Sequence, residues 1–187
     1  MKPRTLSPRA DRTPAGGATT GEPTADNEST ALQLRHGLRR LGKAVVIVTA
    51  WHEDQRWAMT ATAVSELSMD PPSLLVCVNK SASMYKPLAG GANFCVNILH
   101  ADHVDLSNAG SGAVKGEARF AVGSWGEYAC RTPFLEDAQA SFLCSHENYV
   151  EYGTHAIVIG RVAEIKTNGD VDPLIYVDGG YARIGRA

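Results

Sequence analysis

WAMTATAVSELSMDPPSLLVCVN, residues 57–79, decides the fold class. Its first half is built from small and β-branched residues and shows no 3.6-residue period, so it is predicted to be extended. Pro71-Pro72 interrupts it, because proline cannot donate to a ladder, and SLLVCVN at 73–79 then restarts as a second strand. Upstream, AVVIVTAW at 44–51 is apolar and β-branched. Downstream, NFCVNIL at 93–99 sets Phe94, Val96 and Ile98 against Cys95, Asn97 and Leu99, a period of two with both faces at least partly covered. Further strands are predicted near 138–150, 154–167 and 174–184, with short helices at 83–90 and 101–109.

Six or more strands with few helices read as a mainly β chain, a closed β-barrel with helical decoration. There is no βαβ alternation, and no G-x-G-x-x-G follows a strand, which argues against a Rossmann domain. Residues 1–27 are rich in Pro, Thr, Gly, Ala and Arg and carry almost no large apolar side chains. They cannot offset the entropy of ordering and are expected to be a disordered tail, leaving 28–187 as one folded domain. At 28–41 a helix is predicted, with Leu34, Leu38 and Leu41 on one face and Gly42 as its stop.

With 18 basic and 20 acidic side chains among 187 residues, the formal charge is −2, which supplies no general attraction to nucleic acid or anionic membrane. The longest apolar runs, such as 44–48 and 156–160, are far too short to span a bilayer. Lys2, Arg4, Arg9 and Arg12 are followed by no apolar stretch, so a secretory signal is not expected. Cys77, Cys95, Cys130 and Cys144 lack C-x-x-C spacing and read as free thiols of a reducing cytoplasm.

Four segments could carry chemistry. The run Thr60, Ala61, Thr62, Ala63, Val64, Ser65 combines hydroxyls with small residues that let a ligand approach the backbone, although a solvated Thr/Ser face would look the same. Asn79, Lys80, Ser81, Ala82, Ser83 and Met84 follow a strand and precede a predicted helix start at Ser83, which suits an anion as well as an ordinary polar turn. His155 opens an apolar strand after Gly153, and it is either a binding group or a structural histidine. Tyr176 and Tyr181 flank a turn at Asp178-Gly179-Gly180, where a ring could stack on a planar ligand or pack in the core. His100 and His103 are two histidines without further ligands, so no metal is expected. No G-x-S-x-G or H-E-x-x-H pattern is present.

In order and spacing, LGKAVVIVTA at 41–50, MTATAVSELSMDPPSLLVCVN at 59–79, SASM at 81–84, FCVNIL at 94–99, GTH at 153–155 and PLIYVDGGY at 173–181 resemble the flavin reductase-like family. The resemblance is greatest to the reductase components of 4-hydroxyphenylacetate 3-monooxygenase-type systems. It covers residues 34 to 185 and implies a dimeric split β-barrel with a few short helices. It also implies noncovalent FAD or FMN, reduction by NADH or NADPH, and delivery of the reduced flavin by diffusion to a separate oxygenase. Residue by residue, Thr60 to Ser65 match the strand along the flavin ring and ribityl chain, Asn79 to Met84 match the turn at the ring edge and phosphate, and Lys115 matches a loop near the flavin tail. His155 and Tyr181 match the nicotinamide side. The family's C-terminal G-[RK]-[YF]-H motif reads Gly179-Gly180-Tyr181-Ala182 here, without the basic residue or the histidine, and Arg183 is the nearest substitute. No catalytic side chain is expected, because hydride passes directly between the two cofactors. The alternative is a flavin- or haem-binding electron carrier or sensor on the same barrel.

Overall fold

The computed structural model describes residues 25–185. Helix α1 (Ala25–Leu38) leads into β1 (Lys43–Ala44), β2 (Val46–His52), β3 (Gln55–Ala61), β4 (Val64–Met69) and β5 (Pro72–Asn79). Then come α2 (Tyr85–Ala89), β6 (Phe94–Ile98), α3 (Val104–Asn108), a wide π-helical turn (Ala109–Ala113) and a 3-10 turn (Gly116–Ala121). The chain ends with β7 (Trp125–Glu127), β8 (Pro133–Leu135), β9 (Ala140–Tyr152), β10 (His155–Thr167), β11 (Ile175–Val177) and β12 (Gly180–Ala182).

Seven strands form one antiparallel sheet in the order β3-β2-β6-β9-β10-β5-β4. Its two edges, β3 and β4, are consecutive in the chain and joined only by Thr62 and Ala63, so the sheet curls back on itself there. The two edges share no ladder, which corrects the closed barrel expected from strand count to a split one. The cause is local. The Ala63 carbonyl accepts the Cys77 N–H at 2.9 Å, which commits the start of β4 to β5 rather than to β3.

Period-two alternation sorts the side chains. Val46, Val48, Ala50, Val76, Val78, Phe94, Val96, Ala156 and Val158 point inward and are closed off by Met84 and Leu88. Burying each of the larger ones stabilises the fold by about 1.5–3 kcal/mol. Val45, Ile47 and Ala58 point the other way and meet Leu99, Leu106, Phe120, Leu135 and Leu174 in a second core outside the sheet. The buried Asn97 amide stitches this layer to the sheet. It donates to the Ile47 carbonyl at 2.9 Å, and its Oδ1 accepts the Leu135 N–H and the Ser141 hydroxyl, both at 2.9 Å. The hairpin β7–β8 that it anchors was absent from the sequence reading, since three-residue strands carry too little pattern. Burial pushes the Cys144 thiol up to about 12 and the Cys95 thiol upward as well, so both stay protonated and inert.

The first helix differs from its expectation. It runs over Ala25–Leu38, so residues 25–27, counted with the tail, belong to it, and the rest of that tail lies outside the described residues. Glu28 in its first turn favours this earlier start. Leu34, Leu38 and Leu41 are exposed rather than packed, and Leu41 falls beyond the last turn. Arg39, just past the helix, ties it down: Nε donates to Asp178 Oδ1 at 2.8 Å and Nη2 to the Asp178 carbonyl at 2.7 Å. Asp178 and Gly179, both at positive φ, make the tight turn between β11 and β12, as read from the sequence. Among the described residues no helix is long and apolar enough to cross a membrane.

Candidate functional site

Thr60 sits next to last in β3, opposite Ile47, and its hydroxyl donates to the Ser107 carbonyl at 2.8 Å. This bond draws α3 and the following wide turn against the strand. The approach is so close that a Cβ on Gly110 would lie 2.2 Å from Thr60 Oγ1 and 3.0 Å from Thr60 N, so only glycine fits. On the other side of Thr60 stands the turn after β5. Asn79 Oδ1 accepts both the Ser81 N–H at 2.9 Å and the Ser81 hydroxyl at 2.8 Å, an Asx turn that folds residues 80–83 over the strand end.

Arg119, in the 3-10 turn, joins the three walls. Its Nε donates to the Val114 carbonyl at 2.8 Å, and Nη1 donates to the Ala58 carbonyl and to Ser83 Oγ, the latter at 3.2 Å. Between these walls lies a groove of about 470 Å³, with Thr60, Ser81, Ser83, Ser111, Lys115 and Arg119 among its lining. Its only charged lining residues are Lys115 and Arg119, and neither has a carboxylate partner among the described residues. A second recess of about 340 Å³ shares Thr60 and Ser111 with the first and runs along Ala61 and Thr62 to Tyr176 and Tyr181. The Tyr181 hydroxyl is held by Ser107 Oγ at 2.9 Å and by Asn108 Oδ1 at 3.1 Å, and its ring meets the Tyr176 ring edge-on at 5.6 Å. A third, mostly apolar recess of about 720 Å³ opens at the β3–β4 corner, lined by Thr62, Ala63, Val64 and Ser65 with Val46 and Phe142.

The structure thus brings Thr60, Ala61, Thr62, Ser81, Ala82, Ser83, Lys115 and Tyr181 to adjoining cavities and puts Ala63, Val64 and Ser65 at the corner beyond. It places others elsewhere. Met84 is fully buried in the inner core. Asn79 shapes the turn, and Lys80 pairs with Glu151 at 3.2 Å. The expected helix start at Ser83 is corrected: α2 is a single turn beginning at Tyr85, with no side-chain cap. His155 heads β10 opposite Asn79, exposed, with its Nδ1 and the Thr154 hydroxyl 2.9 Å apart. It lines neither polar cavity. Arg183 is held by Asp102 and by Asp172 at 3.9 Å and lines neither polar cavity. His100 and His103 serve the backbone, accepting the Asp102 and His100 N–H groups at 3.2 Å. Ser111 and Arg119 escaped sequence reading. The signal was present as GSGAVKGEAR at 110–119, a glycine-rich run with two cations, but it has no periodicity.

A flat, anionic ligand matches this arrangement: hydroxyls and cations at one end, small residues along β3, aromatic rings beyond. A split barrel with such a groove defines a class of small β proteins built to hold a phosphorylated, planar cofactor. The comparisons with known proteins narrow the class. The model of the flavin reductase like domain matches residues 38–185. An FMN reductase (NADH) RutF of Agrobacterium fabrum is 40% identical over 158 residues, covering 84% of this chain and 91% of that protein. The reductase component of an FADH(2)-dependent resorcinol hydroxylase of a Rhizobium species is 36% identical, covering 82% and 87%. The crystal structure of BorF, the flavin reductase component of a bacterial two-component tryptophan halogenase, superposes with a TM-score of 0.76 at 27% identity, covering 84% of this chain and 99% of that one. The chain belongs to the flavin reductase-like family.

Proposed function

We infer that this protein is an NADH-dependent flavin reductase that supplies reduced FMN or FAD to a separate oxygenase component. The observation that carries the reading is the groove over Thr60, where hydroxyls and two cations without acidic partners adjoin a small-residue strand and a tyrosine edge. The named activities of the relatives agree with it. When bound, a flavin supplies the ring that takes up hydride and a proton. The chain's task is to hold the two partners in contact and to exclude other orientations. Thr60, Ala61, Thr62 and Ser81–Ser83 line the flavin side, with Lys115 at its anionic end and Ala63, Val64 and Ser65 at the corner. Tyr181, and His155 by the family resemblance, are assigned to the nicotinamide. Arg183 is not, since two aspartates already engage it.

The assembly we propose is a homodimer. Cys77, Ile157 and Val150 stand in register across β5, β10 and β9 and point away from the inner core. Ile157 is 37% and Val150 52% exposed, and Met69 on neighbouring β4 is 81% exposed. A second copy would cover this apolar face. The location we propose is cytoplasmic, a reading supported by the use of NADH and by the free, exposed Cys130. The test is steady-state NADH oxidation with free FMN and FAD added. Turnover that saturates with flavin is expected. NADH oxidation that ignores added flavin would favour the carrier or sensor reading instead.

A further inference from the structure

We propose that Arg183 is a positioning residue for the nicotinamide side of the site: it clamps the C-terminal strand onto α3 and so fixes where the Tyr181 ring stands. The inference rests on the assignment of Tyr181 to the nicotinamide and goes beyond it by naming what holds that tyrosine. Tyr181 is the middle residue of β12, a three-residue strand in a small sheet of order β1-β11-β12, separate from the seven-stranded one. A ladder this short is marginal by itself, so other contacts set its place. The incoming turn is anchored by Arg39 on Asp178. The outgoing end is gripped at both ends of α3. At the end of that helix, the Tyr181 hydroxyl meets Ser107 Oγ at 2.9 Å and Asn108 Oδ1 at 3.1 Å. The Ser107 carbonyl also accepts the Thr60 hydroxyl, so one residue ties the tyrosine to the strand along the groove. Before the start of α3, Arg183 pairs with Asp102 and lies 3.9 Å from Asp172. Tyr181 and Arg183 are two residues apart and share a face of the extended chain. Both aspartates are themselves held. The Asp102 N–H donates to His100 Nδ1 at 3.2 Å, and the Asp172 N–H donates to Gln139 Oε1 at 2.6 Å. His100 Nε2 stands 3.7 Å from Asp172 Oδ2, and His103 Nδ1 accepts the His100 N–H at 3.2 Å. The guanidinium thus meets a preset pair of carboxylates. It lines neither polar cavity, so its effect on a ligand passes through Tyr181.

The experiment compares single and double variants in NADH kinetics, with FMN affinity measured separately in the absence of NADH. In R183Q and in D102N the KM for NADH should rise about two- to fivefold, the size expected of a solvent-exposed ion pair, with kcat and FMN affinity nearly unchanged. R183K should recover most of the loss. R183Q/D102N should be no worse than R183Q alone, because both substitutions remove the same contact. The decisive arm is the Y181A background. Y181A should itself raise the KM, and adding R183Q to it should change nothing more. A second readout needs no turnover. Amide hydrogen exchange at 180–182 should speed up in R183Q, and also in the wild type on adding salt, while β2 and β6 stay as they are. An effect of R183Q that persists undiminished in Y181A would put the guanidinium on the dinucleotide itself and overturn the proposal. So would exchange at 180–182 that ignores both the substitution and the salt. Ordinary NADH kinetics in Y181A would instead defeat the assignment of Tyr181 beneath it.

Discussion

On one side of the barrel, Ile47, Thr49 and Asn97 lie beneath residues 99–138, while on the other Cys77, Ile157 and Val150 lie beneath no described residue. Both outer faces come from the same antiparallel sheet. The first is sealed by a buried amide that satisfies four separate polar groups and pins a hairpin in place. The second is apolar around Ile157 and Val150, and no described residue covers it. The covering layer on the first face also builds the groove, because Ser107, Gly110, Lys115 and Arg119 all belong to it. One face thus carries a groove made by the chain's own insertion between β6 and β9, and the other is the surface we propose for association.

The contrast has consequences of graded size. Asn97→Ala removes the partner of a buried N–H, a carbonyl and a hydroxyl at once, and should destabilise the fold by roughly 3–4 kcal/mol in urea unfolding, whereas deletions on the bare face should not. A smaller effect is expected from Gly110→Ala. The new Cβ would drive the wide turn off Thr60 and widen the groove, so flavin affinity should fall about tenfold or more while far-UV dichroism stays unchanged. If the affinity held, the close approach at Thr60 would not define the site. Ile157→Lys, on the uncovered face, should leave unfolding stability within about 0.5 kcal/mol per monomer but halve the mass in light scattering. An unaltered dimer would place the interface elsewhere.

The smallest expected effect is one of pH. The Tyr85 phenol donates to the Glu151 carboxylate, and this bond raises the phenol to about 12 and holds the carboxyl below its ordinary value. For the carboxyl, the folded pKa is the lower one. Its contribution is present above the ordinary carboxylate range and lost as pH falls through the depressed value. For the phenol the sign is opposite, with the contribution present below the ordinary tyrosine range and lost as pH rises through about 12. The bond is solvent-exposed, so the stability change is slight, but a spectroscopic titration should find one tyrosine ionising near that pH. Its absence in Tyr85→Phe would assign it.

Much of this molecule could be read from local pattern. The inner core alternates along β2, β5 and β6 because each strand is buried on a fixed face, and a period of two survives in the sequence. The corner at Thr62–Ala63 was less legible. A run of hydroxyl and small residues reads as one strand, and only the commitment of Ala63 to β5 divides it. Residues whose placement depends on tertiary contact escaped. Met84 follows the polar run Ser81-Ala82-Ser83 yet is buried in the inner core. Arg183, two positions past Tyr181, met aspartates that stand 81 and 11 residues away in sequence. Arg119 reaches its partners only through a 3-10 turn in a glycine-rich segment, where no periodic signal exists.

The central claim is that the groove between Thr60, the turn at 81–83 and residues 107–119 receives the flavin. Amide hydrogen exchange with and without saturating FMN tests it on the intact protein. Slowed exchange is expected at 81–83 and 110–116, with little change along β5 and β10 on the uncovered face. Protection confined to that uncovered face, or an exchange pattern indifferent to FMN, would contradict the account.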